Sequence, residues 1–512
     1  MASAAAGARP AAASPAINPW VIGVILALSN FMVVLDISIA NVSVPHIAGS
    51  LAIAPDQGTW VITSYSVAEA ICVPLTGWLA MRFGTVKTYI FAMMGFGIFS
   101  VLCGLSTTLG MLVACRIGQG ICGGPIMPLT QTLLMSVFPP QRRGQAMGLW
   151  AMTTVVAPIA GPLLGGPISD NWSWHWIFFI NIPICVICVV GSWWGLRGQE
   201  TATKKQRIDV GGLVLLIIWV GALQIMLDIG RDHDWFGSGL IVGLAIVAAI
   251  GFAAFVIWEL TAEQPIVNIR VFRHRGFTAS TFALSLTYAI FFAAIVVTPQ
   301  WLQGMMGYTA TWSGYVIAWQ GLFAVMVSPL VGKFVQKTDP RRIFTFGVLW
   351  MAMTMVLRAR WSSEVDYWTL MLPHLLLGFG MPMFFVPVTM ITLAAVNPDE
   401  VPAAAGLSSF ARTLSGAFGT SIATTVWQNG AEAQRAELTN IIQPGLFLDR
   451  MAQVGFTGER ARGYLEQLVM AQSYSLSLVH IYQTAAVLLV FSASVIWLAP
   501  RPRGPVDTSS AH

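Results

Sequence analysis

Apolar residues come along this chain in blocks of roughly twenty, the length an α-helix needs to cross the hydrocarbon core of a bilayer, with short polar and basic stretches between them. The pattern predicts fourteen helices, near 20–43, 58–79, 88–106, 109–136, 144–166, 176–196, 210–228, 238–259, 277–298, 310–332, 343–361, 367–393, 403–426 and 476–499. The Ala-rich segment 1–19 reads as a disordered tail. The first apolar block ends without a small-residue cleavage site and reads as a retained helix. One interval is much longer than the rest: residues 427–475 are polar and are expected as a long external loop, with a helical-looking run around Tyr464 to Met470. That loop is either a solvated hairpin or a docking surface for an external partner.

Basic residues orient the layout, because cytoplasmic loops hold an excess of Lys and Arg. With the N-terminus inside, 18 of the 27 basic residues are cytoplasmic (Arg9, Arg82, Lys87, Arg142, Arg143, Arg197, Lys204, Lys205, Arg207, Arg270, Arg273, Arg275, Lys333, Lys337, Arg341, Arg342, Arg501 and Arg503). Arg231, Arg358, Arg360, Arg435, Arg450, Arg460 and Arg462 are external, while Arg116 and Arg412 fall within helices. An even number of spans with both termini cytoplasmic follows.

An internal repeat appears at two short basic turns. Gly77-Trp-Leu-Ala-Met-Arg82-Phe-Gly84 follows the second helix, and Gly332-Lys-Phe-Val-Gln-Lys337-Thr-Asp339 with Arg341-Arg342 follows the tenth. The expected organisation is a tail at 1–19, a six-helix bundle over 20–196 and a linker with a two-helix hairpin over 197–276. A second six-helix bundle over 277–499 carries the 427–475 loop, and a cytoplasmic tail spans 500–512. The fold class is an all-α membrane protein with a cavity between two bundles.

Composition agrees. Hydrophobic residues make up 56% of the 512 and charged residues only 10%, against about 25% charged in soluble domains. The net charge of +5 is scattered among apolar runs and forms no nucleic-acid patch. The six cysteines, Cys72, Cys103, Cys115, Cys122, Cys185 and Cys188, all lie in apolar stretches and read as packing residues, the Cys185–Cys188 pair included. No metal site or cofactor is expected. No nucleophile–base pair or phosphate-binding loop is apparent, so catalysis and ATP-driven pumping lack their chemistry.

Ionisable groups inside membrane helices are expensive and point to function. Asp36 lies between Ser29 and Ser43, each seven residues away and so on one helical face, which is expected to line a cavity. A carboxylate in low dielectric resists ionisation and a nearby guanidinium restores it, so Asp36 is a candidate proton carrier. Glu69 is a second proton site or a counter-charge for a cationic ligand. Arg116, heading Arg116-Ile-Gly-Gln119-Gly120, needs a carboxylate partner that Asp36 or Glu69 supplies, and competition between proton and Arg for it ties protonation to helix rearrangement. Pro158, Gly161, Pro162, Gly165 and Gly166 describe a kinked helix with a close-packing surface. Gly77, Arg82 and Gly84 form a turn that gates or packs. Arg412 has a packing or a pathway role, and His374 reads as an interior histidine. Tyr65, Gln119, Trp150, Trp319, Phe384 and Arg412 are candidates for an adaptable apolar cavity.

The sequence resembles the EmrB/QacA type of drug:proton antiporter in the major facilitator superfamily, from about residue 20 to 499. The resemblance is carried by Leu35-Asp36 to Pro45, by Arg116-Ile-Gly-Gln119-Gly120 and by Gly161-Pro162-Leu-Leu-Gly165-Gly166. Gly58 to Ser64 and Trp174 to Pro183 add to it. It implies a major facilitator fold of twelve helices plus a central hairpin, alternating access, and efflux of hydrophobic drugs driven by inward proton flow. It also implies a place in the cell inner membrane, with an EmrA-type periplasmic adaptor and a TolC-like outer-membrane channel as partners. The chain departs from the superfamily pattern where Met81 stands before Arg82 in place of an acidic residue, so the usual charge relay is not expected there. Within transport, export of a defined metabolite such as a fatty acid or siderophore is the alternative.

Overall fold

The computed structural model describes residues 18–53, 55–204, 208–231, 233–441, 447, 448, 451, 453 and 458–501. Arg9, Lys205, Arg207, Arg450 and Arg503, most of both expected tails and the middle of the 427–475 segment lie outside these described residues. Among the described residues the secondary structure is helical, with no strand.

Fourteen long helical rods follow one another among the described residues. They are α1 (Pro19–Ser50), α2 (Trp60–Cys72, resuming as Thr76–Phe83), α3 (Thr85–Gly104), α4 (Leu109–Gly123, resuming as Ile126–Val137), α5 (Arg143–Asn171), α6 (Asn181–Gly195) and α7 (Val210–Ile229). Then come α8 (Gly239–Thr261), α9 (Arg275–Gly304), α10 (Ala310–Phe334), α11 (Pro340–Arg358), α12 (Tyr367–Ala394), α13 (Val401–Ile441) and α14 (Glu459–Val495). Eleven described helices are long and apolar enough to cross a membrane. The other three rods have visible reasons for falling short. Pro74 interrupts α2, α11 opens on Pro340-Arg341-Arg342, and α13 is built largely of Ala, Gly, Ser and Thr.

Local chemistry sets several helix starts. Asn18 accepts from the Trp20 amide at 3.0 Å with Pro19 at the first helical position, and Thr108, Asp209, Thr309 and Asp339 cap α4, α7, α10 and α11 in the same way.

The packing scheme repeats. α1 packs on α5 and α6, α2 on α4, and α3 on α4 and α6; α9 packs on α13 and α14, α10 on α12, and α11 on α12 and α14. Each of the first six helices thus has its counterpart eight positions later. α7 and α8 form the hairpin between the two bundles. α8 turns Ile246, Val247, Ile250 and Ile257 outward, as a lipid-facing helix does.

Two seams join the bundles, α5 against α10 and α2 against α13. Lipid tails are as apolar as the side chains they would replace, so such seams rest on close packing and hydrogen bonds. The repeated turns lie on them. A Cβ on Gly77 would sit 2.8 Å from the Ala403 Cα, and one on Gly332 would sit 2.7 Å from the Gly144 carbonyl oxygen and 2.8 Å from the Gln145 Cα. Both seams therefore close backbone to backbone at the end that carries Arg82, Arg142, Arg143, Arg341 and Arg342, which we call the basic end. Towards the far end α5 and α10 stay together, whereas α7 lies between α2 and α13. There Ser421 donates to the Leu227 carbonyl at 2.7 Å and the Trp235 indole to Thr425 at 3.0 Å.

The expected loop 427–475 is a correction. Residues 427–441 continue α13 and residues 459–475 continue α14. Ala, Glu, Gln and Arg are good helix formers, and cross-contacts hold the two rods together: the Trp427 indole donates to the Tyr474 carbonyl at 3.0 Å, Ser477 to the Trp427 carbonyl at 2.6 Å, and Arg435 pairs with Glu466 at 2.7 Å.

Candidate functional site

The most concentrated buried chemistry lies inside the first bundle. Asp36 on α1 and Arg116 on α4 are both fully buried, with Arg116 Nη1 2.6 Å from Asp36 Oδ2. Asn181 Nδ2, from the start of α6, donates to Asp36 Oδ1 at 2.6 Å, and Gln119 Nε2 donates to the same oxygen at 3.0 Å. Gln119 sits one turn after Arg116 on the same face of α4 and accepts from Arg116 Nη1 at 2.8 Å. Arg116 Nε donates to the Val61 carbonyl at 3.0 Å, and Ser100 of α3 accepts from both Gln119 and Asn181. The Tyr65 ring lies 4.3 Å from the guanidinium carbon and Phe178 at 5.7 Å. Further hydrogen bonds to both partners stabilise a buried ion pair; here residues of five helices supply them, with Arg116 Nη2 left without a hydrogen-bond partner among the described residues.

The serines flanking Asp36 do not line a cavity between the bundles. Ser29 bonds the Ile25 carbonyl and Tyr89, and Ser43 bonds the Ile39 carbonyl and Ser169, so this face of α1 is closed inside its own bundle. The hydroxyls have partners on neighbouring turns and helices, and no space for solvent is needed.

A second charged group spans a seam. Glu69 on α2 and Arg412 on α13 are buried in opposite bundles. Neither forms an ion pair within 4.0 Å among the described residues. The Arg412 guanidinium lies 5.2 Å from the Trp150 ring and 5.6 Å from the Tyr288 ring and touches the Met127 thioether. A small cavity beside it is lined by Gln131, Thr389, Thr392, Ser408 and Ser409.

The remaining candidates separate. Tyr65 and Gln119, expected in a cavity, belong to the Asp36 cluster, and Trp150 stands with Arg412. Trp319 donates to the Tyr367 hydroxyl at 3.0 Å between α10 and α12, and Phe384 packs on Phe344 and Phe385 within the second bundle. On α5, a Cβ on Gly161 would strike Ser38 Oγ at 2.2 Å and one on Gly165 would strike Ile39 at 2.8 Å, while one on Gly166 would meet no other group within 4 Å. Pro158 and Pro162 sit inside the unbroken helix α5. The motif thus fits α5 against α1.

At the basic end, Gly84 adopts φ +94° between α2 and α3, a conformation that favours glycine. The acidic group absent at Met81 has a counterpart from the linker after α6. Glu200 accepts from the Val86 and Lys87 amides at 3.0 Å each, Thr201 accepts from the Thr85 amide at 3.0 Å, and the Lys204 amide donates to the Met81 carbonyl at 2.9 Å. In the second repeat Asp339 plays the equivalent part at the start of α11, accepting from the Arg341 amide at 3.0 Å.

Arg358, assigned to the external side by the charge pattern, is 1% exposed at the end of α11, enclosed by the protein. Its Nη2 lies 3.0 Å from His374 Nδ1, and its guanidinium lies near the Trp361 and Tyr482 rings. The helices involved, α11, α12 and α14, are the repeat counterparts of those that carry Ser100, Arg116 and Asn181.

Residues 26–420 match the family model described as Major Facilitator Superfamily. The chain is 44% identical over 485 residues to the Multidrug export protein EmrB of Escherichia coli K12, spanning 94% of this chain and 95% of that protein. It is 41% identical over 482 residues to the Fatty acid resistance protein FarB of Neisseria gonorrhoeae, spanning 93% and 95%. The structure of the human organic anion transporter MFSD10 superposes with a TM-score of 0.57 at 13% identity, covering 92% of this chain and 100% of that one; at that identity the likeness concerns the fold. With its repeated six-helix packing, a family match over residues 26–420 and near full-length similarity to EmrB, this multi-pass membrane chain belongs to the Major Facilitator Superfamily and, within it, to the EmrB type.

Proposed function

We propose that this protein exports hydrophobic toxic compounds by alternating access, in exchange for protons. The observation that carries the reading is the fully buried Asp36–Arg116 pair held by Gln119, Asn181 and Ser100, in a chain 44% identical to a multidrug export protein. A proton on Asp36 removes the charge that compensates Arg116. The guanidinium is then buried without a counter-ion, which costs several kcal/mol, and the helices that meet at Asp36 favour a different arrangement. A proton on Glu69 removes its attraction to Arg412 across the α2–α13 seam. Proton occupancy thus biases the two bundles between closed and open at the basic end.

In this reading the basic end faces the cytoplasm of a bacterial inner membrane, because cytoplasmic loops hold the excess of Lys and Arg. The extensions of α13 and α14 then project on the periplasmic side, where an EmrA-type adaptor leading to a TolC-like channel has a surface to engage. A second reading, export of a fatty acid, is favoured by the 41% identity to FarB and by Arg412, a buried cation beside a small cavity that Leu284 and Phe385 line together with Thr and Ser hydroxyls.

Asp36→Asn tests the proton route. Cells expressing it are expected to lose drug resistance while the protein stays in the membrane at wild-type amounts. Undiminished efflux removes Asp36 from the mechanism.

A further inference from the structure

At the basic end of the second bundle, the turn between α10 and α11 and the end of α14 enclose a concave pocket of about 320 Å³, lined by Lys337, Asp339, Arg341, Arg342, Trp497 and Arg501. Its single carboxylate is already committed. Asp339 caps α11 and pairs with Arg341 at 2.7 Å, which holds its carboxyl below the ordinary range, and Arg501 stands 3.9 Å away. Arg341 is fixed in turn: it donates to the Ala499 carbonyl at 3.1 Å and lies 5.1 Å from the Trp497 ring. Lys337, Arg342 and Arg501 therefore present positive charge to the pocket with no anion among the described residues to match it, beyond the long contact of Arg501 with Asp339.

The surface next to this pocket is apolar. On α11, Phe346, Leu349 and Met353 follow Arg342 at helical spacing and are 51%, 42% and 39% exposed, so one face of the helix runs from guanidinium to lipid-facing side chains. On α14, which packs against α11, Val487, Val490 and Phe491 are likewise exposed. Trp497, 48% exposed with its indole donating to Thr345 at 3.1 Å, stands where tryptophans mark the headgroup level. A soluble phosphate has use for the cations alone; a ligand that matches both parts has an anionic head and apolar tails.

We propose that this pocket binds the phosphate headgroup of an anionic phospholipid whose acyl chains lie along the exposed face of α11 and α14. Each basic residue near a membrane surface contributes about 1 kcal/mol towards an anionic lipid, so Lys337 and Arg342, unmatched among the described residues, give roughly a thirtyfold preference over a zwitterionic lipid of the same chains, to which Arg501 adds.

The test is native mass spectrometry of the full chain in detergent with phosphatidylglycerol, with phosphatidylcholine of identical chains, and with inorganic phosphate as competitor, for wild type and for K337Q/R342Q/R501Q. Wild type is expected to retain phosphatidylglycerol selectively, the triple variant to lose that preference, and phosphate to leave the lipid in place. Equal retention of both lipids by wild type, or undiminished selectivity in the triple variant, overturns the proposal. Displacement by phosphate alone assigns the pocket to a soluble anion. Should the triple variant lose its helical circular dichroism, salt titration of wild type decides: selectivity that survives 1 M salt is not carried by these exposed charges.

Discussion

Asp36 has both carboxylate oxygens engaged, one by Arg116 and the other by Asn181 and Gln119, with no exposed surface. Such a pair is asymmetric in its energetics. Removing one partner strands a buried charge at about 3–5 kcal/mol, whereas removing both charges is close to neutral. Arg116→Leu is therefore expected to lower the thermal stability of the detergent-purified protein markedly, and adding Asp36→Asn to recover much of the loss. Additive losses in the double variant would show that the two side chains are not energetically coupled. The charged members of the site were legible because an ionised group inside an apolar block has no bland explanation. Asn181 and Ser100 were not, since a lone polar residue in such a block carries no sign of which neighbour it meets. Arg358 escaped because it lies at the end of its block beside Arg360, where charge reads as loop, and only packing shows the chain enclosing it.

Among the elements, the linker after α6 does more than connect. Glu200 fits against Gly84, where a Cβ would lie 2.4 Å from its carboxyl carbon, and its two oxygens take the Val86 and Lys87 amides at the first turn of α3. A carboxylate there satisfies orphan amides and meets the positive end of the helix dipole. Glu200→Ala is expected to speed hydrogen exchange at the start of α3, with Glu200→Gln in between; unchanged exchange would mean that α3 holds its first turn without the linker. The sequence could register the absence of an acid at Met81 but not its replacement from another loop. Hydrophobic blocks located the helical rods, while the ends of α13 and α14 were hidden because a helical stretch built of polar residues carries no apolar signal.

In the molecule as a whole, the two basic turns noticed as a repeat lie at equivalent places on two seams. Gly77 meets Ala403 on one and Gly332 meets Gly144 and Gln145 on the other. The repeat was legible as sequence; its role in closing the basic end was not, since a glycine pattern does not name the backbone it lies against. The same is true of the hairpin, whose two blocks were plain but whose α7 lies between α2 and α13 only in three dimensions. Across these seams, proton occupancy of Asp36 and Glu69 is the proposed link between substrate binding and bundle movement. The direct test is proton release from the purified protein in weakly buffered detergent on addition of a hydrophobic drug, for wild type, Asp36→Asn and Glu69→Gln. Drug-dependent release by wild type, abolished or strongly reduced in at least one of these variants, is the predicted result. A folded, drug-binding protein that releases no protons would contradict it.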